Sequence, residues 1–135
     1  MNESKLENKF FKYLHKKNSN VYLQVPFISR IIDIVEVTKN GRVITYELKI
    51  SNWGKALEQI RNHSIASHFS YLCMPQNKVG KKKLEALFIA CKKESIGLIL
   101  WDEEINAPQF LLKAKSNQYR NKYATKKLKE NISKL

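Results

Sequence analysis

Gly41 to Ser51, GRVITYELKIS, is the stretch on which the reading of this chain turns. Val43, Ile44, Thr45 and Tyr46 favour a strand, yet the same run carries Glu47 and Lys49 two residues apart. Strand side chains alternate, so Glu47 and Lys49 share one face while Leu48 and Ile50 take the other. Removing an ion from water costs several kcal/mol even after relaxation. Two opposite charges on one face of a core strand are therefore either a structural ion pair or the beginning of a site.

Upstream lie RIIDIVEVT (30–38) and VYLQVPF (21–27), two more strand-like runs joined by short connections, which predicts an antiparallel meander. The register depends on the turn before Arg42. If Asn40-Gly41 alone forms the loop, Lys39 pairs with Arg42 and Asp33 falls opposite Leu48, on the wrong face for Glu47. If the loop is Lys39-Asn40-Gly41, with Gly41 in the left-handed region, Thr38 pairs with Arg42 and Asp33 falls opposite Glu47. One residue of register decides whether Asp33, Glu47 and Lys49 converge.

Further out, Leu6, Phe10, Tyr13 and Leu14 recur at helical spacing over residues 3–16. After the third strand, Ser51 or Asn52 is placed to cap a helix whose Trp53, Ala56, Leu57 and Ile60 form an apolar stripe, with Gln59 and His63 along its edge. HFSYLCMP reads as a strand, residues 80–94 as a helix with Leu84, Leu87, Phe88 and Cys91 on one face, IGLILW as a strand and QFLLKAK as a weaker one. Strands separated by helices imply a parallel pair joined by a right-handed crossover. The expected fold is α/β, with an αβββαβ core, a mixed sheet containing the three-strand meander, and flanking helices.

The chain has 135 residues, 43% of them hydrophobic, which is enough for one ordinary core. It carries 25 Lys and Arg against 12 Asp and Glu, a net +13, which favours polyanionic partners and nucleic acid first among them. The sequence offers no apolar run near the roughly 18 residues of a spanning helix and no signal peptide, so no membrane partner and a cytoplasmic location are expected. Cys73 and Cys91 read as small core residues, and His15, His63 and His68 form no zinc pattern. From Lys113 to Leu135 eight Lys and Arg face the single acid Glu130, a net +7. This divides the chain into a domain over 1–112 and a basic C-terminal segment over 113–135. The cations expected to meet nucleic acid are Lys55, Arg61, Lys113, Lys115, Arg120, Lys122, Lys126 and Lys127.

Asp33, followed by ELK at Glu47, Leu48 and Lys49 on the far strand of a hairpin, resembles the motif of the PD-(D/E)xK nuclease superfamily, which has the restriction-endonuclease-like fold. The resemblance spans Glu3 to about Pro75. It implies that Asp33 and Glu47 are magnesium ligands, that the Leu48 carbonyl adds a third oxygen, and that Lys49 is the catalytic lysine, with manganese able to replace magnesium. A first-helix acid often joins such sites, and Glu7 fits best, with Glu3 the spare. WGKALEQIRNH is similar to the helix that follows the motif in several branches, where a Gln faces the active site and a Tyr often stands four residues later. Gln59 matches that Gln, His63 occupies the Tyr position, and Ile32 stands where the motif's name has Pro.

Two carboxylates suit magnesium, which prefers hard oxygen ligands and retained waters. The expected function is thus magnesium-dependent hydrolysis of DNA phosphodiesters, with specificity supplied by DNA structure, by a homodimer or by a protein partner. The alternative is a non-catalytic nucleic-acid-binding or assembly protein on the same fold. The bland reading of Asp33 and Lys49 is a cross-strand ion pair, worth roughly 0.2–1 kcal/mol.

Overall fold

In the computed structural model, which describes residues 1–135, the apolar spacing at the N-terminus forms helix α1, Glu3–Lys17. Its cap is Asn2, whose side chain accepts from the Lys5 N–H at 2.8 Å, and it buries Leu6, Phe10 and Leu14. Three strands follow, β1 (Val21–Phe27), β2 (Arg30–Val37) and β3 (Val43–Leu48), then helix α2 (Trp53–His63), a short 3-10 turn at Ser64–Ala66, and strand β4 (Phe69–Pro75). Helix α3 (Lys81–Lys93), strands β5 (Gly97–Asp102) and β6 (Ala107–Leu112), and helix α4 (Lys122–Ser133) complete the chain. The protein is α/β, and its first elements run in the expected order αβββαβ.

One six-stranded sheet, in the order β1-β2-β3-β4-β5-β6, carries everything. β1, β2 and β3 are the antiparallel meander, β3, β4 and β5 are mutually parallel, and β6 returns antiparallel. On one face α1 packs Leu6, Phe10 and Leu14 against Ile34, Tyr46, Leu48 and Trp101. On the other, α2 and α3 pack Leu57, Ile60 and Leu87 against Leu72, Met74 and Leu98. No helix is long and apolar enough to cross a membrane.

The loop between β2 and β3 is the three-residue one. Gly41 has φ +80, its N–H donates to the Thr38 carbonyl at 2.9 Å, and Thr38 N–H donates to the Arg42 carbonyl at 2.9 Å. Ile34 pairs with Tyr46 and Val37 with Val43, the register in which Asp33 stands opposite Glu47.

Two local expectations are altered. Asn52 stands at the N-cap of α2, but in a left-handed conformation with no side-chain cap bond, a conformation that Asn tolerates better than most residues. The last strand begins at Ala107 and ends at Leu112, short of Lys113. Residues 113–135, set apart in the sequence by charge, pack on the same sheet: Leu128 of α4 is buried with Val25, Phe27, Val35 and Val43, and Thr125 Oγ1 donates to the Ala66 carbonyl at 2.9 Å.

The register makes Gly41 a sensitive position. A Cβ at φ +80 is strained, so Gly41→Ala should destabilise the fold by about 1–2 kcal/mol in a denaturant titration, and Gly41→Asn by less. Equal midpoints for the two variants and the parent would show that the turn does not require a left-handed residue.

Candidate active site

Beyond the Ile34–Tyr46 pair, where the regular β2–β3 pairing ends, the Asp33 side chain takes over. Its Oδ2 accepts the Leu48 N–H at 3.0 Å, which seats a half-buried carboxylate at the end of the strand pair. Glu47, opposite, is only 3% exposed. The two carboxylates are close enough to act on each other by charge and by a shared hydrogen bond. Burial, then the charge of Glu47, pushes Asp33 up to about 7, and burial raises Glu47 too. Each acid therefore gives up its proton less readily than an isolated carboxyl does.

Lys49 lies just past the end of β3, held by its N–H to the Cys73 carbonyl at 3.0 Å. Its Nζ is 3.8 Å from Glu3 Oε1, and its charge reaches Glu47. Glu7 Oε1 accepts from Gln24 Nε2 at 2.7 Å; burial raises its pKa, and it feels the charge of Asp33. Both first-helix acids thus border the site, Glu3 through Lys49 and Glu7 through Gln24. Leu48 enters through its N–H to Asp33.

From α2, His63 Nε2 stands 3.2 Å from Glu47 Oε1, and the ring is 2% exposed. Burial pushes His63 down to about 4, so it is a neutral imidazole at physiological pH. Opposite an ionised Glu47, Nε2 carries the proton and donates. His63 is therefore a partner of Glu47. Gln59 lines a cavity beside His63, and its Oε1 is buried without a hydrogen-bond partner. No three His, Cys, Asp or Glu side chains are grouped closely enough to hold a metal ion by themselves, so the donor set offered is the Asp33–Glu47 pair.

Gln24 was not among the residues singled out from the sequence. It has φ 52 inside β1, and the strand turns over there: Val21 and Leu23 pack with α1, whereas Val25 and Phe27 pack beneath α4. The signal was a lone amide at the centre of VYLQVPF, directly across from Asp33 in the β1–β2 register.

The expected nucleic-acid contacts separate into groups. Arg120, Lys122 and Lys126 line an open hollow of about 520 Å³ with Lys129, His68 and Gly41, and no apolar residue contributes to its wall. There burial, then the charges of Arg120, Lys129 and Arg42, hold His68 below its usual range. Arg61 is instead committed to Glu94 through Nε and Nη2, and Lys115 lies in the same small hollow as that pair. Lys55, Lys113 and Lys127 are exposed outside both hollows.

No family model and no curated protein matches this sequence. Among solved structures, the chain is similar to a protein of unknown function from Silicibacter pomeroyi, with a TM-score of 0.58 and 12% identity over 84% of this chain and 71% of that one. The likeness is one of fold.

The raised Asp33 fixes the sign of a pH effect. The group ionises near 3.8 when unperturbed and near 7 in the folded protein, so between these values the folded state binds more protons. This contribution to stability is full below about 3.8 and is lost as pH rises through about 7. Asp33→Asn keeps an oxygen for the Leu48 N–H and removes the repulsion. In metal-free buffer it should stabilise the protein by about 1–3 kcal/mol at pH 8 and by much less at pH 4. Equal melting shifts at both pH values would show that Asp33 carries no such penalty.

Proposed function

We propose that the protein is a magnesium-dependent nuclease that hydrolyses DNA phosphodiester bonds, on a restriction-endonuclease-like core. The observation that carries the reading is the meeting of Asp33, Glu47 and Lys49 at the end of β3, a half-buried acid, a buried acid and a cation on adjacent strands. Natural cores rarely keep a carboxylate pair that raises its own proton affinity unless another cation relieves it. Such a pair suits a hard divalent ion, and Asp33 and Glu47 would hold it. When bound, that ion would supply charge neutralisation at the phosphate and a more acidic water.

The chain's own residues would do the rest. Lys49, anchored at the strand end, would stand beside the attacked phosphate and offset its developing negative charge. Glu3 would steady the ammonium group, and Gln24 would keep Glu7 turned toward the acids. His63, by donating to Glu47, would hold that carboxylate in one orientation and leave its other oxygen free. The net +13 and the basic hollow on α4 would draw the polyanion in.

The second reading, a nucleic-acid-binding or assembly protein without catalysis, is favoured by two observations: Glu47 Oε1 is already taken by His63, and no third acidic ligand is grouped with the pair. Cleavage assays decide between the two. Glu47→Gln or Lys49→Ala should lower magnesium-dependent cleavage by roughly 10²–10³ or more, with DNA affinity in calcium buffer largely kept. Parent-like cleavage by Lys49→Ala would refute the assignment of that lysine, and a parent inert on single-stranded, duplex and branched DNA would favour the second reading.

The basic hollow makes a separate prediction. Lys122 and Lys126 are exposed, so Lys122→Gln with Lys126→Gln should leave the fold intact. If both contact duplex phosphates, the slope of log affinity against log salt falls by about 2, at roughly 0.9 per contact. An unchanged slope would exclude these two lysines from the DNA path.

A further inference from the structure

The β1–β2 turn is built against its own chemistry. Phe27 pairs with Arg30 across a two-residue loop, Ile28-Ser29, and both loop residues have positive φ, 41 and 58. Asn and Gly normally take such places, because a β-branched side chain is strained there. Burial does not offset the strain, since Ile28 is 65% exposed and Ile31, just beyond it, 58%. Two isoleucines therefore stand in solvent on either side of Arg30.

Behind them lies a cavity of about 370 Å³ lined by Ser29, Arg30, Ile31, Gln59 and His63. It adjoins the acids, because His63 touches Glu47. Two atoms of its lining residues are buried without a partner, Gln59 Oε1 and His63 Nδ1. Gln59 Oε1 can only accept and so calls for a donor, and with Nε2 of His63 turned to Glu47 its Nδ1 is the ring atom left for a ligand. A buried acceptor left unpaired costs about 1–3 kcal/mol, which a ligand donor would recover. Phosphate oxygens cannot satisfy acceptors, whereas the amino and imino groups of a nucleobase can.

We propose that this cavity receives the base of an unpaired nucleotide next to the scissile phosphate, with Ile28 and Ile31 acting as a wedge against the neighbouring stack. Gln59 and His63 accept from the edge of the base, Ile31 packs on its face, and Arg30 supplies the one charged donor, toward a base carbonyl or the adjoining phosphate. The preferred DNA is thus single-stranded or interrupted by unpaired nucleotides, since extruding a base costs least where it is already unpaired. This identification of the substrate rests on the nuclease reading of the adjoining acids.

The test uses the full chain in calcium buffer, where binding is read without cleavage. The probes are a continuous duplex and the same duplex with one unpaired 2-aminopurine. The parent should bind the interrupted duplex about tenfold or more tighter, with a change in 2-aminopurine fluorescence that the paired control lacks. Ile28→Gly, which relieves the positive φ and should melt no lower than the parent, and Ile31→Ser should each remove most of that preference while leaving affinity for the continuous duplex unchanged. Equal affinity of the parent for both duplexes, or a preference that survives Ile28→Gly and Ile31→Ser combined in one protein, overturns the proposal. Magnesium cleavage of single-stranded DNA, run alongside, separates the two ideas. Cleavage without preference removes the base cavity and keeps the nuclease, whereas preference without cleavage on any substrate keeps the cavity as a binding site and removes the nuclease.

Discussion

The register of β2 against β3 is the constraint on which the site depends, and the Gly41 turn sets it. A left-handed residue at the third loop position lets Thr38 close on Arg42, and from there each pair along the ladder is determined. A two-residue loop would have moved Asp33 across from Leu48, where its carboxylate would face the α1 side among Tyr46, Leu48 and Trp101 and Ile34 would be turned away from it. The same register gives Ile34 and Tyr46 to α1, and Val35 and Val43 to α4. Core and site therefore follow from one turn, which Lys129 of α4 also holds, donating from Nζ to the Gly41 carbonyl at 2.7 Å.

The end of that ladder is where the fold stops optimising itself. Asp33 uses a side-chain oxygen to replace a missing backbone partner, Gln24 takes a positive φ in mid-strand, and Glu47 is buried beside another acid. Each departure alone is mild, but they lie side by side across three adjacent strands. The hydroxyls of Thr45, Ser70 and Ser67, by contrast, satisfy one another a short way along the same face at 3.1 and 2.9 Å. Those hydroxyls carry no charge, whereas at Asp33 and Glu47 two carboxyls whose proton affinity is raised stand side by side, which sets this end of the ladder apart.

The meander and the two charges on β3 were legible because their determinants are local: turn chemistry at Lys39-Asn40-Gly41 and strict alternation from Val43 to Lys49. Gln24 was not, because a non-glycine residue in the left-handed region breaks the alternation on which the reading relies. His63 fell at a helix-edge position that fits either a surface or a core residue, and only the approach of α2 to Glu47 decides it. The packing of α4 was obscured by composition. Ala124, Leu128 and Ile132 do recur every four residues, but lysines crowd the intervening positions and make the helix read as a charged tail. The Ile28-Ser29 turn carries no turn-forming residue pair of the usual kind, so nothing local announces its exposed isoleucines.

The charges lie at two ends of one strand, and their separation has a consequence for approach. Arg120, Lys122, Lys126 and Lys129 gather by Gly41 before β3, whereas Glu3, Glu7, Asp33 and Glu47 gather where it ends, six residues or about 20 Å away. That distance exceeds the Debye length of about 8 Å at physiological salt, so the basic hollow cannot by itself cancel the repulsion between acids and phosphates. Attraction would bring a polyanion onto α4 and leave it short of the carboxylates. Only charge placed between the acids and a phosphate closes the remaining gap. Lys49 carries one such charge, already shared with Glu3 at 3.8 Å, against the half-buried Asp33 and the buried Glu47, both of which burial makes less ready to ionise. If the proposed function holds, affinity and chemistry are separable in this fold: the lysines of α4 would govern how tightly a nucleic acid is held, and the Asp33–Glu47 pair whether its phosphate can enter.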